Sequence, residues 1–270
     1  MKILNFKFKS VCSLTFILLW NFSFAQGRIE IYNDSIRTFL YSNPNKAKHF
    51  SHKLLRSAKA GELPDEEAKA YCFLADLSGA LMQKDSAFYY FDKAIQKTIN
   101  SGNQKLELVF KINKASYLFN QFDFETALSL YDECLQLSNI QKNEEAIDYI
   151  LIKKASINYE LERYADALKD YKALLTKNSP NKINSLNIKL GLVKVYSKLN
   201  LPDSANIYIK SGISESKISN LNEHEIHFMT QLGIIYMDKK NYIIAKSTFD
   251  SALNYAVKIQ NTNLITEIKI

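Results

Sequence analysis

Small and branched aliphatic residues recur along this chain at a nearly constant distance. Six alanines follow one another at almost equal steps: Ala47, Ala87, Ala127, Ala167, Ala205 and Ala245. Eight positions after each of them comes a branched aliphatic residue: Leu55, Ile95, Leu135, Leu175, Ile213 and Leu253. Because residues at this spacing lie on one face of an α-helix, the pattern predicts six amphipathic helices, one in each unit of about 40 residues.

A second helix is predicted ahead of each of these six. In the best-formed unit, Gly233 and Tyr236 lie one turn apart on the first helix, and Ala245, Phe249 and Ala252 form an apolar stripe on the second. This order of a small residue, an aromatic residue, and then Ala, Phe and Ala resembles the tetratricopeptide repeat (TPR). The resemblance implies an all-α fold, a right-handed α-solenoid of antiparallel helix pairs. The repeats of about 40 residues are longer than the roughly 34 residues usual for the family.

The phase of the pattern divides residues 26–270 into consecutive helix pairs. A leading pair is predicted at 28–59, followed by five repeats and a truncated helix: 66–100, 105–137, 145–176, 185–217, 225–257 and 262–270. The four prolines fall at predicted turns or loops: Pro44, Pro64, Pro180 and Pro202. Strand signals are absent, since valine is scarce and no hairpin dipeptide separates alternating segments. Because a solenoid needs a polar terminal helix, the short last helix indicates either a fragment or an end covered by a partner.

The segment 1–25 has the pattern of a secretory signal peptide. Three lysines precede an apolar run at 11–20, and Ser23 and Ala25 occupy the small-residue positions before a cleavage site. An uncleaved membrane anchor is the alternative, but the run is shorter than the roughly 20 residues that span a bilayer. We therefore expect cleavage after Ala25 and a periplasmic or secreted chain without another membrane segment.

The net charge does not indicate a nucleic-acid partner. The whole chain carries +7, but the leader contains three lysines and no acidic residue, so the rest carries 32 basic and 28 acidic residues. A net charge of +4 with interleaved acids is typical of a solvated helical surface.

The sequence offers no convincing active site, cofactor motif or metal site. His224 and His227 lie three residues apart with acidic neighbours, a partial metal or acid–base constellation. The favoured interpretation is a polar helix start, since acids are stabilising near a helix N-terminus. We expect Cys72 and Cys134 to be buried free thiols, although an exported chain could form a disulfide.

Resemblance to the TPR family implies a concave groove that is lined by the first helices and receives an extended peptide or a partner helix. The family's groove positions, carried onto this chain repeat by repeat, are Lys69, Cys72 and Asp76; Val109, Ile112, Ser116 and Asn120; Tyr149, Ile152, Ser156 and Tyr159; Asn187, Leu190, Lys194 and Lys198; and His227, Thr230, Ile234 and Asp238. The alternative for any one of them is packing within or between repeats.

These features lead to two functional hypotheses. The first is a non-enzymatic scaffold of the cell envelope that binds a peptide or a partner protein in the groove. The second is the extracytoplasmic sensor or dimerisation region of a larger regulator, because exported TPR arrays resemble the front part of such chains. A homodimer through the uncapped C-terminal face is a further expectation, and an enzyme is not expected.

Overall fold

The computed structural model describes residues 27–40, 42–177 and 181–268. Within these ranges it contains thirteen helices and no strand. The first helix, α1, occupies 27–39. The others are α2 (Pro44–Ala60), α3 (Pro64–Ala80), α4 (Lys84–Ser101), α5 (Gln104–Asn120), α6 (Phe124–Gln141), α7 (Glu144–Glu160), α8 (Tyr164–Thr176), α9 (Lys182–Lys198), α10 (Pro202–Ile218), α11 (Asn222–Asp238), α12 (Tyr242–Lys258) and α13 (Thr262–Ile268).

The predicted leader, 1–25, and Pro180 lie outside the described residues. In the described part, none of the helices has both the length and the apolar character needed to cross a bilayer.

The chain forms two compact units, Met1–Leu130 and Tyr131–Ile270, with the boundary inside α6. Within each unit, helices that are consecutive in sequence pack against each other as antiparallel hairpins. The first unit has apolar clusters around Leu54 and Phe91, and the second has a large cluster that extends from α7 to α11. In each unit the core is thus a series of interfaces between successive helices.

Short turns of one conformation join most of the helices. Between α2 and α3, Glu62 has a φ of 52°, in the left-handed region. Its N–H donates to the Lys59 carbonyl at 3.2 Å, and the N–H of Leu63 donates to the Ala58 carbonyl at 2.9 Å. These two bonds form a Schellman motif, which satisfies carbonyl groups that the end of the helix would leave free.

The residue with left-handed φ recurs in the other turns of this conformation. Within each of two runs of turns its spacing in sequence is constant: Glu62, Met82, Gly102, Phe122, Lys142 and Glu162, then Asn200, Asn220, Lys240 and Gln260. One helix and its turn make up this interval, and two such intervals give the spacing of the periodic alanines. The one shorter step, from Ala167 to Ala205, coincides with α8, which has 13 residues where the neighbouring α7 and α9 have 17. Only Gly102 is a glycine, although the conformation costs other residues roughly 1–2 kcal/mol each.

Asparagines at helix starts connect one repeat to the next. Asn103 caps α5, since its Oδ1 accepts from the backbone N–H of Leu106 at 3.1 Å. Its Nδ2 donates at the same time to Oδ2 of Asp65, in the first turn of α3, at 2.7 Å. The second unit repeats the arrangement: Asn181 with Glu145, and Asn261 with Glu223. The cap thus holds the starts of successive first helices together.

Small residues mark the positions where helices approach most closely. The six periodic alanines are buried, five of them completely and Ala245 to within 3% exposure. At Gly212, inside α10, a methyl group would overlap the ring of Phe228 from α11. At Gly233 it would lie 2.7 Å from the ring of Phe249. The helix-interior glycines therefore belong to tightly packed contacts, and the fourth repeat, which contains Gly212, is closely packed there.

Two lysines connect first helices to the preceding second helices. Lys114 of α5 pairs with Asp92 of α4 at 2.6 Å, and Lys154 of α7 pairs with Asp132 of α6 at 2.5 Å. Both pairs join residues 22 positions apart. Because each aspartate is more than half exposed, a pair contributes at most about 1 kcal/mol to the free energy of unfolding. Its main effect is on the position of the two helices along each other.

Replacing Gly212 by alanine should destabilise the fold. The gain in helix propensity is about 1 kcal/mol, but overpacking against Phe228 costs roughly 1–3 kcal/mol. We expect the melting temperature to fall, measured by circular dichroism. Ser214→Ala, at an exposed position of the same helix, should leave it unchanged or slightly raised. A Gly212→Ala variant that melts at or above the wild-type temperature would contradict the close contact.

Asn103→Asp should separate the two roles of the capping residue. Aspartate caps a helix as well as asparagine does, but it cannot donate to Asp65 and places a second carboxylate beside it. We expect a loss of about 1–2 kcal/mol near neutral pH, measured by urea unfolding. The loss should shrink in acid, where carboxyl groups are protonated. Asn241→Asp, where the side chain caps Ile244 at 3.5 Å, is the control and should change stability less; equal effects would refute the inter-repeat role.

Candidate functional site

First helices pack against one another inside each unit. In the second unit α7 contacts α9, and α9 contacts α11, although a second helix separates each pair in sequence. In the first unit α3 contacts α5 in the same way. The predicted groove residues lie on these five helices, so the layer of first helices is the surface to inspect.

A cavity of about 400 Å³ opens on α7, α9 and α11. Its lining contains five of the predicted groove residues and three others: Tyr159, Lys194, Lys198, Ile234 and Asp238, together with Glu160, Ser197 and Gln231. We call this site the α7–α9–α11 cavity. The three additional residues lie within one helical turn of predicted ones, so helical periodicity could have identified them.

The cavity carries charges of both signs. Lys194 and Lys198 lie one turn apart on α9, while Glu160 on α7 and Asp238 on α11 supply carboxylates. Tyr159 adds a phenol, and burial raises the pKa of its hydroxyl to about 12. The hydroxyl therefore stays protonated at neutral pH and can donate a hydrogen bond. Such a site offers donors and acceptors to a ligand that contains both.

Other predicted groove residues of the second unit lie outside the lining of this cavity. Ile152 is buried with 5% exposure, and Thr230 is buried and donates to the Ile226 carbonyl. Ser156 bonds to the hydroxyl of Tyr171 at 2.8 Å. Tyr149, Asn187 and Leu190 are partly buried. Packing accounts for Ile152 and Thr230, the alternative that the sequence left open for every groove position.

The two histidines of α11 make separate contacts. Nε2 of His224 lies 3.2 Å from Oδ1 of Asn187, and Nδ1 of His227 lies 3.8 Å from Oε1 of Glu267. Burial lowers the pKa of both imidazoles, and Lys194 lowers that of His227 further against the opposing effect of Glu267.

The acids beside these histidines are engaged elsewhere, Glu223 with Asn261 at 2.8 Å and Glu225 with Lys217 at 3.5 Å. Throughout 27–40, 42–177 and 181–268, the structure brings no three His, Cys, Asp or Glu side chains into a metal-binding group.

In the first unit the predicted groove residues lie on α3 and α5. Lys69 pairs with Glu66 of its own helix at 2.7 Å. Cys72 is a buried free thiol whose Sγ accepts from Asn113 at 3.4 Å. Asp76 is exposed, but desolvation by the surrounding protein raises the pKa of its carboxyl to about 6. The other four positions are partly buried or exposed: Val109, Ile112, Ser116 and Asn120.

A second cavity, of about 540 Å³, lies on α7 and α8. Leu151, Ala173 and Leu174 give it an apolar floor, and Lys154, Asp170 and Lys177 are also part of the lining. Both lysines already have carboxylate partners, Asp132 and Asp148. None of its residues belongs to the groove positions expected from the sequence.

No protein-family model matches the chain, and no curated protein matches it either. Solved structures do. The apo form of RapI superposes with a TM-score of 0.67 at 16% identity, over 89% of this chain and 94% of RapI. BtubC from P. vanneervenii gives 0.58 at 16% identity, over 88% and 92%. A STAND protein with a tetratricopeptide repeat sensor from Pyrococcus horikoshii gives 0.53 at 14% identity, over 90% of this chain and 42% of that protein.

These similarities concern the fold. Together with the helix pairs, they show that the chain has an all-α, TPR-like helical-repeat fold. The predicted fold class, a solenoid of antiparallel helix pairs, is confirmed in this sense.

The raised pKa of Asp76 predicts a pH-dependent stability difference. The folded chain binds this proton more tightly than the unfolded chain, so the favourable contribution is complete below about pH 4 and is lost as the pH rises through about 6. Asp76→Asn should therefore melt at a higher temperature than wild type near pH 7.5, and at a similar one near pH 4. Because the side chain is exposed, we expect a small gain. An NMR titration of Asp76 with a midpoint near pH 4 would contradict the shift.

Proposed function

We propose that this protein is a non-enzymatic interaction scaffold of the cell envelope, and that it binds a peptide or a segment of a partner protein at the α7–α9–α11 cavity. The observation that carries the proposal is the convergence of Tyr159, Lys194, Lys198, Ile234 and Asp238, from three separate helices, on one cavity.

The chemistry of the cavity suits a polypeptide segment. A peptide presents backbone donors and acceptors together with side chains of either charge, and this lining offers a phenol, an amide, two ammonium groups and two carboxylates. Ile234 adds an apolar contact. A volume of about 400 Å³ lies within the range of pockets that hold small ligands, enough for one or two anchoring side chains.

The lining does not pair a nucleophile with a base. The hydroxyl of Ser197 donates to the Val193 carbonyl at 2.9 Å, within its own helix. The Tyr159 hydroxyl is held in its protonated form. These groups therefore favour ligand binding over covalent or acid–base catalysis.

Location in the envelope rests on the predicted leader. The lysines, the apolar run and the small residues before Gln26 are typical of an exported chain, and we propose a periplasmic or secreted protein on that basis.

A sensor role is the alternative, and one observation favours it. The Pyrococcus horikoshii structure contains a tetratricopeptide repeat sensor within a longer protein, of which this chain covers 42%. In that case the cavity would receive the signal, and the partner would be an effector.

Site-specific photo-cross-linking tests the proposal. A benzoyl-phenylalanine at position 234, inside the cavity, should give a discrete protein adduct in the envelope fraction after illumination of cells that make this protein. Lys198→Glu in the same chain should weaken the adduct, because it reverses one of the four charges of the lining. A second probe at position 207, on the exposed side of α10 where Ile207 is 67% exposed, is the control.

The proposal fails if position 234 gives no adduct, or if positions 234 and 207 give the same adducts. Adducts found only in the cytosolic fraction would overturn the location. Melting curves of both probe-bearing chains should match wild type, which ensures that the comparison concerns folded protein.

A further inference from the structure

The start of α12 exposes large apolar side chains. Tyr242 is 64% exposed, Ile243 85% and Ile244 43%, and the three are consecutive in sequence. They follow directly on the turn at Lys240, whose φ is 58°. We call residues 239–246 the α12 tip. Clustered exposed apolar residues mark an interaction surface more often than isolated ones do.

The isoleucines stand where other second helices carry polar or small residues. The positions equivalent to Ile243 are Asn45, Asp85, Glu125, Ala165 and Asp203, and those equivalent to Ile244 are Lys46, Ser86, Thr126, Asp166 and Ser204. Acidic residues in the first turn stabilise a helix through its dipole, and α12 has none there. Helix stability therefore does not account for the two isoleucines.

Exposure at this position does not depend on which repeat is last. Asn45, Asp85, Glu125, Ala165 and Asp203 are all exposed, although further helices follow each of them. Ile243 would thus stay exposed if another helix pair followed α12. A molecule that covers the Ile243 side chain therefore has to be something other than the next repeat.

The α12 tip is also basic. Lys239, Lys240 and Lys246 are exposed and have no ion-pair partner among the residues that the structure describes. Some other lysines of this chain are paired with carboxylates, as Lys97 is with Glu67 at 2.8 Å. From residue 239 to 246 the chain contains no acid.

We infer that the α12 tip docks onto the surface of an anionic lipid bilayer. The exposed lysines fit lipid phosphates by charge, while an exposed tyrosine and two exposed isoleucines in the first turn of α12 can enter the boundary between headgroups and acyl chains. A bilayer can receive exposed apolar side chains without a pocket, and no residue of the α12 tip lines either cavity. The α12 tip begins directly after Asp238, which lines the α7–α9–α11 cavity, but none of the tip's own residues belongs to that lining.

Vesicle co-sedimentation tests the inference. Wild-type protein should bind vesicles of phosphatidylcholine and phosphatidylglycerol more tightly than vesicles of phosphatidylcholine alone, and high salt should release it. Ile243→Ser/Ile244→Ser and Lys239→Gln/Lys240→Gln should each weaken binding by about tenfold or more. Both variants should fold, because polar residues occupy equivalent positions in other second helices. Ile218→Ser, at a site that is 81% exposed on α10, is the matched control and should bind like wild type.

The predicted leader is itself apolar and basic, so each comparison is made twice, in the full chain and in the chain processed after Ala25. The readout is the difference between wild type and variant within one preparation. Equal binding of wild type and both tip variants overturns the inference, as does absence of binding by the processed wild type. Light scattering that shows a dimer lost in the isoleucine variant, without vesicle binding, would instead assign the α12 tip to a second copy of this chain.

Discussion

Close approach between successive helices is the constraint on which this structure depends. A single helix here has no core of its own, so its apolar side chains leave water only at the interfaces with the helices before and after it. The buried alanines, and glycines such as Gly212 beneath Phe228, bring backbones near enough for aromatic rings to fill the remaining space. Protein interiors are packed as densely as organic crystals, so a larger side chain at such a point would force neighbouring side chains or backbone to shift.

The turns between helices repeat this close packing at a regular spacing along the chain. Two helices of 17 residues, each followed by a short turn, return the chain to the same orientation. The left-handed residue in each turn is unfavourable for every residue except glycine, and the bonds of the Schellman motif together with helix stacking offset that cost. Capping asparagines such as Asn103 then fix the starts of successive first helices relative to one another. Register kept in this way allows three first helices to present side chains to one cavity.

Two surfaces of the second unit differ in a way that matches two different kinds of ligand. The α7–α9–α11 cavity is recessed and holds charges of both signs beside an isoleucine and a phenol, as recognition of a polypeptide requires. The α12 tip is exposed, carries only positive charge and has isoleucine where related positions are polar or small. Helix stability does not explain the isoleucines of the tip, since acids at the start of α12 would favour the helix.

The sequence by itself determined the helices, their pairing and their period, because the alanine and aliphatic columns report directly on which face of each helix is buried. Resemblance to the TPR family also placed Tyr159, Lys194, Lys198, Ile234 and Asp238 among the expected groove positions. Only the tertiary structure decided that these five meet at a cavity whereas Ile152 and Thr230 are buried, since that outcome depends on how far apart neighbouring helices lie. Only the tertiary structure showed the left-handed turns, because residues other than glycine, such as Phe122, give no sequence signal for that conformation. It also showed the partner of each paired charge, because the two residues of an ion pair such as Lys154 and Asp132 lie 22 positions apart in sequence.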